Sequence, residues 1–186
     1  MTYTIRQLPG ILQGLRACLE HELTRRAADG GAPVPGKIEV RPGAAFAPYF
    51  STTEDECKCG VAWVRLVGVA LGGGDDGPTR NAAGRICAAI TWTVTVELGV
   101  QRCPAFGDAQ HVPTASDSLN DTLTQLSDER AMRAAMLCCF PNDPDPNVPG
   151  QDVTPVEYTP IGPEGFCFGG TWTATMELDD CDDCEA

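Results

Sequence analysis

Apolar residues recur along the first part of the chain at the spacing of a helix. Leu8, Ile11, Leu12, Leu15, Cys18, Leu19 and Leu23 share one face. Pro9 suits the first turn, where a missing N–H costs nothing, and Gly30 and Gly31 end the element. GAPVPG then turns the chain into a short strand, Lys37 to Arg41. The run VAWVRLVGVAL, residues 61–71, predicts a second strand from its Val and Trp content and its length. Residues 90–100 alternate strictly. Ile90, Trp92, Val94, Val96, Leu98 and Val100 point one way, and Thr91, Thr93, Thr95, Glu97 and Gly99 the other. That is a strand with one buried and one polar face. Arg102, Cys103 and Pro104 close it.

A second helix is expected from about Ser116, as N-cap, to Phe140. Leu119, Leu123 and Leu126 form its apolar stripe, continued by Met132, Ala135, Met136 and Cys139, and Pro141 stops it. A short extended piece, Val156 to Thr159, precedes a last strand, Thr171 to Leu178, with Trp172, Ala174, Met176 and Leu178 on one face. The order α-β-β-β-α-β predicts an α+β domain: a mainly antiparallel sheet of about four strands with both helices on one face. The threonine face is then available to a neighbour. The whole chain, 1–186, is expected to form one domain, with long loops at 42–60, 72–86 and 141–155.

Two stretches nearly copy each other. CAAITWTVTVEL, residues 87–98, and CFGGTWTATMEL, residues 167–178, share C-x-x-x-T-W-T-x-T-x-E-L. Their flanks, AGRI and GPEG, do not match, so two half-buried strands meeting one packing demand explain them better than a duplication.

Charge and cysteine change this picture. The net charge is -13, which opposes any grip on nucleic-acid phosphates. No apolar run reaches the ~20 residues that span a bilayer. The first residues, MTYTIRQLPG, show no secretory pattern, so synthesis in the cytosol is expected. Ten cysteines are many for that compartment, where metal ligation or burial is favoured over disulfides. Cys57 and Cys59 precede the second strand, and Cys181 and Cys184 follow the last. If those strands are antiparallel neighbours, four thiolates converge as in a closed structural zinc site. The alternatives are disulfide cross-links, or solvated acidic tails that bind nothing. Cys18, Cys138 and Cys139 are expected as small buried apolar residues. Cys87, Cys103 and Cys167 flank strands, and burial is again favoured over pairing.

His21 is expected in solvent and His111 in a loop, with no nucleophile beside either, so no enzyme is expected. The glycine runs DGG, GGGDDG and GPEGFCFGG match neither a P-loop nor a dinucleotide fingerprint.

The segments CKCGVAWVRLV, TWTVTVELGVQRCP, AMRAAMLCCF and GPEGFCFGGTWTATMEL, in that order, resemble a family of virion proteins from tailed phages of actinobacteria. Those proteins are similar to the lambda U-like tail terminators of long-tailed, non-contractile phages. The resemblance covers about two-thirds of the chain, from Cys57 onward. It implies a homo-oligomer, a hexameric ring at the head–tail junction of the virion, assembled in the bacterial host cytoplasm. It implies as partners the tail tube protein and the head connector or stopper protein. Phage DNA would pass through the lumen without specific binding, with no membrane and no catalysis. A neighbouring stopper or adaptor protein, or a small zinc-binding interaction module, is the alternative.

Overall fold

The structure, a computed structural model, describes residues 8–43, 60–71, 79–80, 86–87, 90–104, 113–142, 153–164 and 167–180. It is α+β. Helix α1 spans Leu8–Ala28, and β1 spans Lys37–Arg41. Strand β2 is Val61–Leu71, and two short strands, β3 (Thr79–Arg80) and β4 (Ile86–Cys87), pair with each other. Strand β5 is Ile90–Arg102 and helix α2 is Ala115–Ala134, continued by a π turn, Ala135–Cys139, and a 3-10 turn, Phe140–Asn142. Strands β6 (Thr154–Glu164) and β7 (Cys167–Asp180) complete the chain's order.

The main sheet has five strands in the order β1-β2-β5-β7-β6. It is antiparallel except for the β1–β2 pair, which is parallel. The expected sheet of about four strands is thus five, because the piece near Val156 is a full edge strand that begins at Thr154, inside the loop expected at 141–155. The β3–β4 pair falls within the loop expected at 72–86.

Both helices cover one face. Ile11, Leu15 and Leu19 of α1 and Met132, Ala135 and Met136 of the α2 end are wholly buried in one cluster with Val64, Val94, Val96, Leu98, Val100, Ala174 and Leu178. The β5 and β7 members of this cluster are even-numbered residues that the alternation assigned to the core. Gly30, with φ 85°, ends α1 in the left-handed region, which glycine enters without steric cost.

Helix α2 departs from expectation at its start and on its surface. Its N-cap is Thr114 rather than Ser116, closed by a capping box with Asp117. Leu119, Leu123 and Leu126 share a face, but that face is outward: they are 57%, 56% and 49% exposed. Helical spacing tells which residues share a side, not which side meets the core. The buried residues of α2 are Asp128, Ala131 and Met132.

The opposite face of the sheet carries Trp63. Trp63 is wholly buried and stands across from Gly99. A Cβ at Gly99 would fall inside contact distance of the Trp63 ring, so the glycine is what lets the indole lie on the strand. We expect Gly99→Ala to lower stability by about 1–3 kcal/mol through overpacking. Because both changes act on one contact, combining it with Trp63→Leu should cost less than the sum of the two, measured by urea unfolding.

Candidate functional site

The two repeated stretches lie side by side. Strands β5 and β7 pair antiparallel, with Thr95 opposite Thr175 at the centre. From there the pairing is self-complementary. Trp92 faces Leu178 and Leu98 faces Trp172; Thr93 faces Glu177 and Glu97 faces Thr173. Each copy therefore supplies the partners that the other requires, about a local two-fold axis through the Thr–Thr pair. The resemblance between the copies is a pairing code: large against medium on the core face, hydroxyl against carboxylate on the other.

That second face is only partly open. Thr93, Thr95, Thr171, Thr173 and Thr175 are half-buried, and Glu177 is exposed. Toward β1 the face closes over a polar network. The Trp63 indole donates to Glu97 Oε1 at 3.0 Å, and Arg65 Nη2 donates to Glu97 Oε2 at 2.8 Å. Arg41 lies over the Trp63 ring at 5.4 Å and also bonds Glu39, which Lys37 contacts at 2.6 Å. Burial pushes the Glu39 carboxyl up, but the hydrogen bonds from Lys37 and Arg41 outweigh it and leave it below its ordinary value. The face expected to be open is thus closed over Trp63, and its described threonines are half-buried. A sign was present in the sequence: Trp63 and Arg65 lie two apart, opposite the Glu97 and Gly99 of VELG.

A second network ties α2 to the sheet. Arg102 at the end of β5 grips Asp128 with two bonds, Nε to Oδ2 at 2.6 Å and Nη2 to Oδ1 at 2.8 Å. Its third arm, Nη1, donates to the Pro33 carbonyl at 2.6 Å. Burial pushes the Asp128 carboxyl up, against the pull of Arg102. One turn earlier, Gln125 donates to the Gly169 carbonyl. The inner side of α2 is therefore polar where its outer side is leucine.

Cysteine placement revises the candidate chemistry. Cys57, Cys59, Cys181 and Cys184 lie outside the described residues. The adjacency on which their convergence rested is absent from the sheet. Strands β2 and β7 flank β5 on opposite sides and run parallel to each other. Val61 at the start of β2 is level with Gln101, while Asp180 at the end of β7 is level with Ile90. At ~3.3 Å per residue those ends are separated by on the order of 30 Å. Among the described residues, no three His, Cys, Asp or Glu side chains converge as metal ligands.

Cys18 and Cys139, expected as separate buried residues, form a disulfide with Cα atoms 5.6 Å apart. Cys103 and Cys167, for which burial was favoured, are also in disulfides. They sit one step past the Arg102–Phe168 pair at the same end of the sheet. Cys138 is exposed. His21 is exposed as expected, while His111 lies outside the described residues. Sequence spacing could not find the Cys18–Cys139 bond, because the partners are 121 residues apart and meet only through the packing of α1 on the α2 end.

No protein-family model matches this chain, and no curated protein matches it closely enough to count as a relative.

The buried ion pair and the disulfide each set an expectation. Asp128→Ala leaves the Arg102 guanidinium buried without its carboxylate and should cost about 3–5 kcal/mol, whereas Arg102→Met with Asp128→Leu should recover most of that loss in thermal unfolding. For the disulfide, Cys18→Ala or Cys139→Ala should each lower stability by about 2–5 kcal/mol, and the double variant should add little, because either change opens the same loop.

Proposed function

We propose that this chain is a ring-forming structural protein of a phage virion, a tail terminator at the head–tail junction that caps the tail tube and joins it to the head connector. One observation carries the reading. The four segments that resemble the terminator family fall on the structural centre of the chain: β2, β5, the end of α2 with its π turn, and β7. The likeness therefore lies in the residues that set the sheet and the helix layer.

Other features support it. Among the described residues both helices lie on one face, which leaves part of the threonine face and the β1 and β6 edges for contacts between copies. A ring built from one chain needs two different, complementary surfaces that close head to tail. A net charge of -13 suits a lumen through which DNA slides without being held. The disulfide between Cys18 and Cys139 suits a particle that leaves the reducing cytoplasm in which it is assembled.

The test is assembly. Mixed with polymerising tail tube protein, the purified chain should stop tube growth and be seen by electron microscopy as a ring at one tube end. A chain that stays single and leaves the tube-length distribution unchanged would overturn the reading.

A further inference from the structure

Cys103 and Cys167 are both in disulfides, and chain length decides where their partners lie. Among the described residues, Cys18 and Cys139 form the one disulfide with both ends present. Cys103 and Cys167 are therefore bonded to cysteines beyond the described side chains. Cys138 remains a thiol, which leaves Cys57, Cys59, Cys87, Cys181 and Cys184.

The last three of these start from the wrong end of the sheet. Asp180 is paired with Ile90, and Arg102 with Phe168, at opposite ends of β5. At ~3.4 Å per residue those ends lie on the order of 40 Å apart. Cys181 and Cys184 follow Asp180 by one and four residues, and Cys87 precedes Ile90 by three. Four residues of extended chain reach at most ~14 Å, so none of these cysteines bridges the gap.

Cys57 and Cys59 start from the right end. Val61 is paired with Gln101. Gly60 is described, and Cys59 is its neighbour in the chain, one Cα step of ~3.8 Å away. Counting back from Val61 and on from Gln101 sets Cys59 level with Cys103. Neighbouring strands lie ~5 Å apart, which is within the ~4.4–6.8 Å that a disulfide needs between Cα atoms. Cys167 is level with Cys103 on β7, one strand farther from β2. Two strand spacings make ~10 Å, too far for a bond from the line of β2. Cys57 has two more residues of chain, ~7 Å of reach, and these close that distance.

We infer that Cys59 is bonded to Cys103 and Cys57 to Cys167, so that the lead-in to β2 is clasped to both β5 and β7. Each bond forms from two thiols with release of two protons and two electrons. A small-molecule disulfide such as oxidised glutathione accepts them and becomes two thiols. The clasp closes the end of the sheet where Arg102 holds Asp128 and the Pro33 carbonyl. It ties the three central strands together, as Cys18–Cys139 ties the two helices. It does not rest on the terminator reading, since only the chain's own sulfurs take part.

The test maps the bonds in the full chain after equilibration with oxidised and reduced glutathione, with thiols blocked at acidic pH. Lys58 lies between Cys57 and Cys59, so trypsin separates them, and cleavage after glutamate isolates residues 165–177 around Cys167. Without reduction, mass spectrometry should find residues 59–65 linked to 103–129, and residues 57–58 linked to 165–177. Cys59→Ser should open one further thiol to alkylation, at Cys103, and leave the Cys57–Cys167 link in place. A link between 103–129 and 165–177 overturns the inference. So do crossed pairs, or a bond from Cys103 or Cys167 to Cys87, Cys181 or Cys184. Alkylation of all four cysteines, or one zinc retained per chain in native mass spectrometry, overturns it equally. The map reads no assembly, so its failure leaves the terminator reading as it stands.

Discussion

The pairing of β5 with β7 is the constraint on which the rest of the architecture depends. Side chains alternate with a period of two, so a slip of one residue would turn every core position of β7 into the threonine face. A slip of two would keep the faces but replace the leucine opposite each indole, setting Trp92 against Met176 or Asp180 and Trp172 against Val96 or Val100. With this register set, β2 is added on one side of β5 and β6 on the other side of β7. The even-numbered residues of both central strands then form the floor on which α1 and the α2 end pack. The central pair joins strands that are distant in sequence, so the core closes only after a long stretch of chain is ordered. Topologies dominated by such contacts fold slowly.

The polar interactions play a different part. Burying Arg102 with Asp128 removes two charges from water, and their attraction does little more than offset that cost. What the pair contributes is placement: a two-pronged bond has one geometry, and it fixes α2 over the end of β5 while the third arm of Arg102 holds the Pro33 carbonyl. The Trp63–Glu97–Arg65 network serves β2 and β5 on the opposite face in the same way. A carboxylate shared between an indole and a guanidinium leaves neither strand free to shift without exposing a buried charge.

The two central strands were legible because strict alternation of apolar and threonine residues has one physical solution. Helix α1 was legible because its stripe is wide and meets the core. Strand β6 was underread because Pro155, Pro160 and Pro163 argue against a strand, yet an edge strand tolerates residues that cannot donate to a neighbour. The parallel direction of β1 was hidden because strand direction is set by the connection rather than by residue type. The same ambiguity affects the premise for Cys57, Cys59, Cys181 and Cys184, which lie outside the described residues: β2 and β7, taken as neighbours in the chain order, flank β5 and run parallel. The Cys18–Cys139 bond was hidden twice, by its sequence separation and by an expectation drawn from the compartment of synthesis.

Helix α2 was the most misleading element, and its two halves explain why. From Ala131 to Phe140 the inward residues Met132, Ala135, Met136 and Phe140 are wholly buried, so this part faces the core. Before Asp128 the inner side is polar and the leucines look outward. The change of character ends in the π turn at Ala135–Cys139, where the Phe140 amide bonds back to the Ala135 carbonyl five residues earlier. A wider turn of this kind shifts the angular position of the residues at its C-terminal end. Here those are Cys139, bonded to α1, and the buried Phe140. The helix is therefore held covalently and by packing at its C-terminal end, and by Asp128 and Gln125 at its middle. Its first turn carries a capping box between Thr114 and Asp117. A single average over all its residues cannot describe such a helix, because one half obeys the core of this chain and the other half carries its apolar side where no part of the described chain meets it.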